Sequence, residues 1–241
     1  MKNGIVLLAQ HSSNKGECNV ANRCAQYLKE RGRKNVSIAY NYGSPLAEEV
    51  IERMMGSEGV DTFCILPLTV AEGNLTLWVM PKQFTEPGDA KSWTVVGEHD
   101  AEIRSSTTKK DREKMADAIV RNIGKPKKGV GVVVLARGSK EAQSEMVAGY
   151  YAERIGSAGW PCRTAFSRHG PRNVTEAVSE LKEEGCSEIL LVPLFICTAG
   201  KSCKEALEDL KKTGVKHTVS GALASYPEFM EILDSRVPEN W

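Results

Sequence analysis

"GIVLLAQHSS", residues 4–13, and "GVVVLARGSK", residues 131–140, read as one phrase written twice. Each runs through a bare apolar strand into a small, polar, flexible end. His11 stands at the tip of the first and Arg137 at the matching place in the second. Shifting the chain by 126 residues lays "GVDTFCILPL" (59–68) over "GCSEILLVPL" (185–194), Leu7-Leu8 over Val133-Val134, and Ser13 over Ser139. "WTVVG" (93–97) answers "HTVSG" (217–221) at a slightly different offset. A repeat this long is a duplicated domain, since solenoid units run to about 20–50 residues.

Each half parses alike. A strand (5–9; 131–135) leads into a helix (17–31; 140–156), a second strand (35–40; 162–166) and a loop holding Pro45 or Pro171. A helix (46–55; 173–184), the strand "TFCILPL" or "EILLVPL", a helix (75–85; 201–212), a strand (93–97; 217–221) and a last helix (109–123; 227–235) follow. Strands rich in Val, Ile and Leu without alternation are buried on both faces, as in a parallel sheet covered by helices. The fold class predicted is therefore α/β: two similar open doubly wound domains with parallel four-stranded sheets, related by internal duplication. The flexible, lysine-rich "GKPKKG" (124–129) joins them. The expected domains are 1–124 and 130–241, with 125–129 as linker. Ligands of such folds bind beyond the carboxyl ends of the strands, which places His11 and Arg137 in a cleft between the two domains.

The chain's bulk composition narrows the partners. In 241 residues, 32 Lys and Arg balance 31 Asp and Glu, which gives no general pull toward nucleic acid or an anionic membrane. Aromatic content of 6% argues against a base-stacking surface. No run of 18 apolar residues exists to span a membrane, and the N-terminal apolar stretch, Ile5 to Ala9, is too short for a signal peptide. A cytoplasmic location is expected. Seven cysteines without a C-x-x-C pair fit small buried apolar residues better than a disulfide framework.

Neither strand tip is a phosphate loop, for no GxxxxGK[ST] or GxGxxG pattern is present. No G-x-S-x-G elbow surrounds Ser12 or Ser13, which read as a helix N-cap. His11 is read two ways, as a residue capping the core or as an imidazole that takes a proton near neutral pH or coordinates a divalent metal.

"LLAQHSS", "ILPLTVAEGNLTLWVMP", "LVPLFICTAGKSCKEAL" and "GALASYPEFMEIL" (221–233) resemble, in that order along the chain, the class II tetrapyrrole chelatases. These are the sirohydrochlorin cobaltochelatases and ferrochelatases, some of which are double-length chains of two fused copies. The resemblance covers nearly the whole chain. It implies a lyase-type enzyme of cobalamin or siroheme biosynthesis that inserts Co²⁺, Fe²⁺ or Ni²⁺ into a sirohydrochlorin-type ring. The metal is a substrate, and no organic cofactor is expected. A pseudo-twofold monomer or a homodimer would carry the activity.

The resemblance puts the family's first histidine at His11, as catalytic base and metal ligand. The second histidine position falls on Leu75 and Lys201, and the aspartate on Val79 and Glu205. Glu72, His169, Cys197 and Cys203 are further candidate metal ligands, each with a competing structural reading. Ser12, Ser13, Arg137, Ser139, Lys201 and Lys204 are candidate substrate-binding residues, with the cations attracting the ring's carboxylates. Two alternatives stay open: a degenerate homologue that carries a tetrapyrrole, a metal or a partner without insertion, and an unrelated small-molecule enzyme on the same fold.

Overall fold

The computed structural model describes residues 2–68, 93–94, 100–103, 109–140 and 142–241. The first repeat contributes β1 (Asn3–His11), α1 (Lys15–Glu30), β2 (Val36–Tyr42), α2 (Ala47–Glu58), β3 (Thr62–Pro67), β4 (Trp93–Thr94), β5 (Asp100–Ile103) and α3 (Lys109–Ile123). The second contributes β6 (Val130–Ala136), α4 (Ala142–Ser157), β7 (Cys162–Phe166), α5 (Val174–Glu183), β8 (Glu188–Pro193), α6 (Lys201–Lys212), β9 (Lys216–Val219) and α7 (Pro227–Ser235). The helix expected over 75–85 lies outside the described residues.

The sheets have the orders β2-β1-β3-β5-β4 and β7-β6-β8-β9. In each, the chain runs from the central strand to one edge and then returns to the other side, the doubly wound pattern. All pairs are parallel except β4 with β5. The fourth strand expected at 93–97 is thus displaced. Residues 100–103 take the parallel place beside β3, and Trp93–Thr94 pairs antiparallel beyond them.

The pairing also corrects the repeat register. Leu8 pairs with Pro67 and Leu135 with Pro193, so β6 follows β1 at 127 residues while β8 follows β3 at 126. The β1–β2 and β6–β7 pairs agree, with Ala9 opposite Tyr40 and Ala136 opposite Phe166. The connection before β2, residues 31–35, is one residue longer than that before β7, residues 158–161, and this absorbs the difference. Arg137 therefore lies level with Gln10, and the counterpart of His11 is Gly138.

Two compact units result: Met1–Thr108 with Phe229–Trp241, and Lys109–Glu228. The boundaries drawn from the sequence follow the repeat, whereas the packing groups α3 with the second unit and the C-terminal segment with the first. In the second unit, Arg154 of α4 holds Asp117 of α3, and Met115, Ala116, Ala118 and Ile119 are buried. In the first, the Arg33 guanidinium donates to Asp234 Oδ1 at 2.8 Å and to the carbonyls of Pro238 and Trp241 at 3.0 and 2.9 Å. The core of the first unit sets Val50, Ile51 and Met54 of α2 against Val6, Leu8, Ala39 and Phe63. In the second, Ala177, Val178 and Leu181 of α5 and Cys203, Ala206 and Leu210 of α6 pack on Val133, Leu135 and Leu191. The hydrophobic run of each central strand is thus spent on holding helices, and its polar tip is what remains exposed.

Candidate functional site

In the first unit, β1 is buried from Gly4 to Ala9 and emerges at Gln10 and His11. His11 lies opposite Tyr42 across the β1–β2 pair, and the two rings stack with centroids 4.8 Å apart and planes 18° from parallel. The His11 amide donates to Glu17 Oε2 at 2.9 Å. Asn14, not Ser12 or Ser13, caps α1: its Oδ1 accepts from the Gly16 amide at 3.0 Å and from the Glu17 amide at 3.4 Å. The serines sit too early in the chain to reach those donors. Ser12 Oγ instead accepts from the Ser44 amide at 3.3 Å, tying the loop after β2 to the strand tip, while Ser13 is exposed. Gly43, at φ 108°, makes that approach possible, since a Cβ there would stand 1.8 Å from Ser12 Oγ.

Below the tip, Tyr40 is buried, and burial, the hydrogen bond with Cys18 and the charges of Cys18 and Glu17 hold its phenol well above the usual range. The Cys18 thiol donates to the Ser12 carbonyl at 3.2 Å. On the opposite face of β2, Asn41 is only 7% exposed, and neither side-chain atom has a hydrogen-bond partner. Its counterpart at the end of β7, Ser167, likewise has a buried, unpartnered Oγ. Orphaned buried polar groups cost about 1–3 kcal/mol each, and these two occupy the same repeat position. Neither was among the site residues expected from the sequence. Nor was Tyr42, 53% exposed beside His11.

In the second unit the tip is cationic. Arg137 is exposed, and no hydrogen bond or ion pair to its guanidinium appears among the described residues. Gly138, at φ 77°, packs so closely on the next loop that a Cβ would stand 1.6 Å from the His169 carbonyl oxygen. Arg168 reaches across to Glu205 at 2.7 Å and to Ser202 Oγ at 3.4 Å. Lys201 flanks the same carboxylate at 3.9 Å. Lys201 is therefore shared with an internal anion, and Arg168 is a cation of this tip that sequence reading left outside the site. Lys204 is exposed one position before Glu205, and Ser139 is half-buried.

The candidate metal ligands divide. His169 is exposed on the loop after β7. Cys203 is fully buried in the core, where burial, with a lesser push from Cys197, raises its thiol from 9.0 to about 11. That environment suits an apolar packing residue, and a thiolate ligand does not form readily there. Cys197 is half-buried beyond β8. Glu72, Leu75 and Val79 lie outside the described residues. Among the described residues no three His, Cys, Asp or Glu side chains group to hold a metal ion. No described helix is long and apolar enough to cross a membrane.

The fold is two doubly wound α/β units with polar residues at the carboxyl ends of their central strands. Residues 131–240, a little under half of the chain, match the CbiX family model. The fold likeness extends to both halves. DR2241 from Deinococcus radiodurans, a multi-domain protein described as structurally similar to chelatases, is 18% identical with a TM-score of 0.73. All of this chain is covered, but the chain spans only 55% of DR2241. SirB from Bacillus subtilis with Fe³⁺ is 16% identical, with a TM-score of 0.72 and coverage of 98% and 94% of the two chains. The sirohydrochlorin chelatase SirB from Bacillus subtilis subspecies spizizenii, in complex with cobalt, is 14% identical, with a TM-score of 0.69 and the same coverage. No curated protein matches the chain.

Proposed function

We propose that this chain inserts a divalent metal, Co²⁺, Fe²⁺ or Ni²⁺, into a sirohydrochlorin-type tetrapyrrole at the carboxyl ends of its strands. One observation carries the reading: in a chelatase-class fold, the first unit presents an exposed imidazole at the tip of its central strand. Insertion exchanges two pyrrole N–H protons for one M²⁺. His11 would hold the incoming ion through its unprotonated ring nitrogen; once the ion passes to the ring, that nitrogen accepts one of the two pyrrole protons and water takes the other. Tyr42 fixes the imidazole plane by stacking. Arg137, Arg168, Lys201 and Lys204 draw the ring's carboxylates, with Arg137 offering a two-pronged donor set. Ser12, Ser13 and Ser139 are polar contacts at the same strand ends. The iron and cobalt carried by the SirB structures support a metal of this class.

A second reading is a carrier that binds the ring without insertion. It is favoured by the sharing of Lys201 with Glu205 at the position where the family resemblance expects a histidine. An absorbance titration of sirohydrochlorin with the protein, followed by anaerobic addition of Co²⁺, Ni²⁺ or Fe²⁺, separates the two. Insertion above background that disappears in His11→Ala supports the chelatase. A spectral shift on binding with no acceleration assigns the carrier, and the absence of any shift rejects both.

A further inference from the structure

The first unit carries a groove of about 590 Å³ away from the strand tips, lined by Asn22, Arg23, Gln26 and Lys29 of α1, Ser37 of β2 and Arg53 of α2. It lies over β2, the edge strand of its sheet among the described residues. Backbone groups of an edge strand point alternately toward its neighbour and away from the sheet. The Tyr40 amide points away, donating to the Pro45 carbonyl at 2.9 Å. Two residues earlier, the Ile38 amide points the same way, and Ile38 lines the groove. Arg53 reaches over the edge, its Nη2 donating to Ser37 Oγ at 3.1 Å. The walls hold three cations and no carboxylate.

The duplication supplies an internal control. The buried positions of α1, Val20, Ala21, Cys24 and Leu28, are answered at one constant offset by Val147, Ala148, Tyr151 and Ile155 of α4. Val50, Ile51 and Met54 of α2 are answered in the same way by Ala177, Val178 and Leu181 of α5. In that frame Arg23 becomes Tyr150, Lys29 becomes Gly156 and Arg53 becomes Glu180, while the strand register turns Ser37 into Arg163. The second edge is neutralised from within: Glu180 accepts from Arg163 at 2.8 Å and from Arg172 at 2.6 Å. At the equivalent contact the first unit has a cation against a hydroxyl. Its charge calls for an anion from solution.

We propose that this groove binds a small polyanion, a molecule bearing two or more negative charges on phosphoryl or carboxylate groups. Lys29 and Arg53 supply the charge, and the Ser37 hydroxyl and Ile38 amide supply directed donors. The site is independent of the metal chemistry proposed above.

Isothermal titration of the full chain with inorganic pyrophosphate, and separately with citrate, tests it. Saturable one-site binding is expected. Arg53→Gln and Lys29→Gln should each weaken it about tenfold, while Lys125→Gln in the inter-repeat linker leaves it unchanged. The tighter probe identifies a phosphoryl or a carboxylate ligand. Failure of both probes to bind overturns the site, as does equal weakening by Lys125→Gln. Binding that survives Arg53→Gln but falls with Arg137→Ala also overturns it, because the anion would then sit at the strand tip. Circular dichroism of each variant confirms that the fold is kept.

Discussion

The imidazole of His11 lies flat on the phenol ring of Tyr42, 4.8 Å between centroids, across the last residue pair of β1 and β2. Register sets this contact, since any slip of β2 by one residue would turn Tyr42 to the other face. The stack holds the imidazole plane, and among the described residues no hydrogen bond is made to either ring nitrogen.

Tyr42→Ala should therefore lower metal insertion without unfolding the first unit. Tyr42 is mostly exposed, so its removal costs about 1 kcal/mol or less, a Tm shift of about 2–4 °C for a chain of this size. His11→Ala should abolish insertion, whereas Tyr42→Ala lowers it partially and Tyr42→Phe keeps it. Insertion rates and calorimetric Tm values for the three variants check this. A Tyr42→Ala protein as active as the parent would remove the positioning role.

Glu205 neutralises Arg168 and Lys201 at the second tip. Glu205→Gln should release both cations and tighten binding of a polycarboxylate tetrapyrrole by about tenfold, and Arg137→Ala should weaken it by a similar factor. Exposed ion pairs contribute about 0–1 kcal/mol, so Glu205→Gln should barely change stability. Fluorescence titration of the ring against each variant measures the shift.

Asn41 tests whether a buried polar group is kept for a ligand. Replacing it with Leu removes an unsatisfied amide and should stabilise the first unit by about 1 kcal/mol in urea unfolding. The same change should weaken tetrapyrrole or metal binding. Stabilisation without loss of binding would show that Asn41 has no partner in the bound state.

Cys24 and Cys203, one in each unit, bear on alkaline stability. Both are fully buried. Burial raises the Cys24 thiol from 9.0 to about 12 and that of Cys203 from 9.0 to about 11. The folded chain thus holds these protons more tightly than the unfolded one. The resulting stabilisation is complete below pH 9.0 and drains away as pH rises through the two folded values. Scanning calorimetry between about pH 8 and about pH 11 should show a falling Tm. Cys24→Ala should flatten that fall, and an unchanged slope would assign the loss to other groups.

The fold was legible because the apolar runs of the central strands, with their helices and prolines, are long and repeat. Helix boundaries such as Lys109–Ile123 and Pro227–Ser235 match the expected spans residue for residue. The register was not legible to one residue, since "LLAQHSS" and "VLARGSK" look similar at either offset and only strand pairing decides between them. That one step moves Arg137 off the place of His11. His11 and Arg137 could be proposed from the sequence because they carry distinctive chemistry at strand ends. Tyr42, Asn41 and Arg168 were hidden because their meaning depends on what lies across the sheet or beyond the next helix. Cys203 was a candidate for its place on the helix after β8, and that helix turns the thiol into the core.

The packing of α3 with the second unit, and of Phe229–Trp241 with the first, bears on how such a gene can change. Cutting the chain in the lysine-rich joint would yield two fragments, each carrying a helix that belongs to the other and lacking one of its own. Neither repeat can be discarded, transplanted or expressed separately without baring an apolar face. The copies are thus held together as a single heritable unit while their strand tips diverge, one keeping an imidazole and the other accumulating cations.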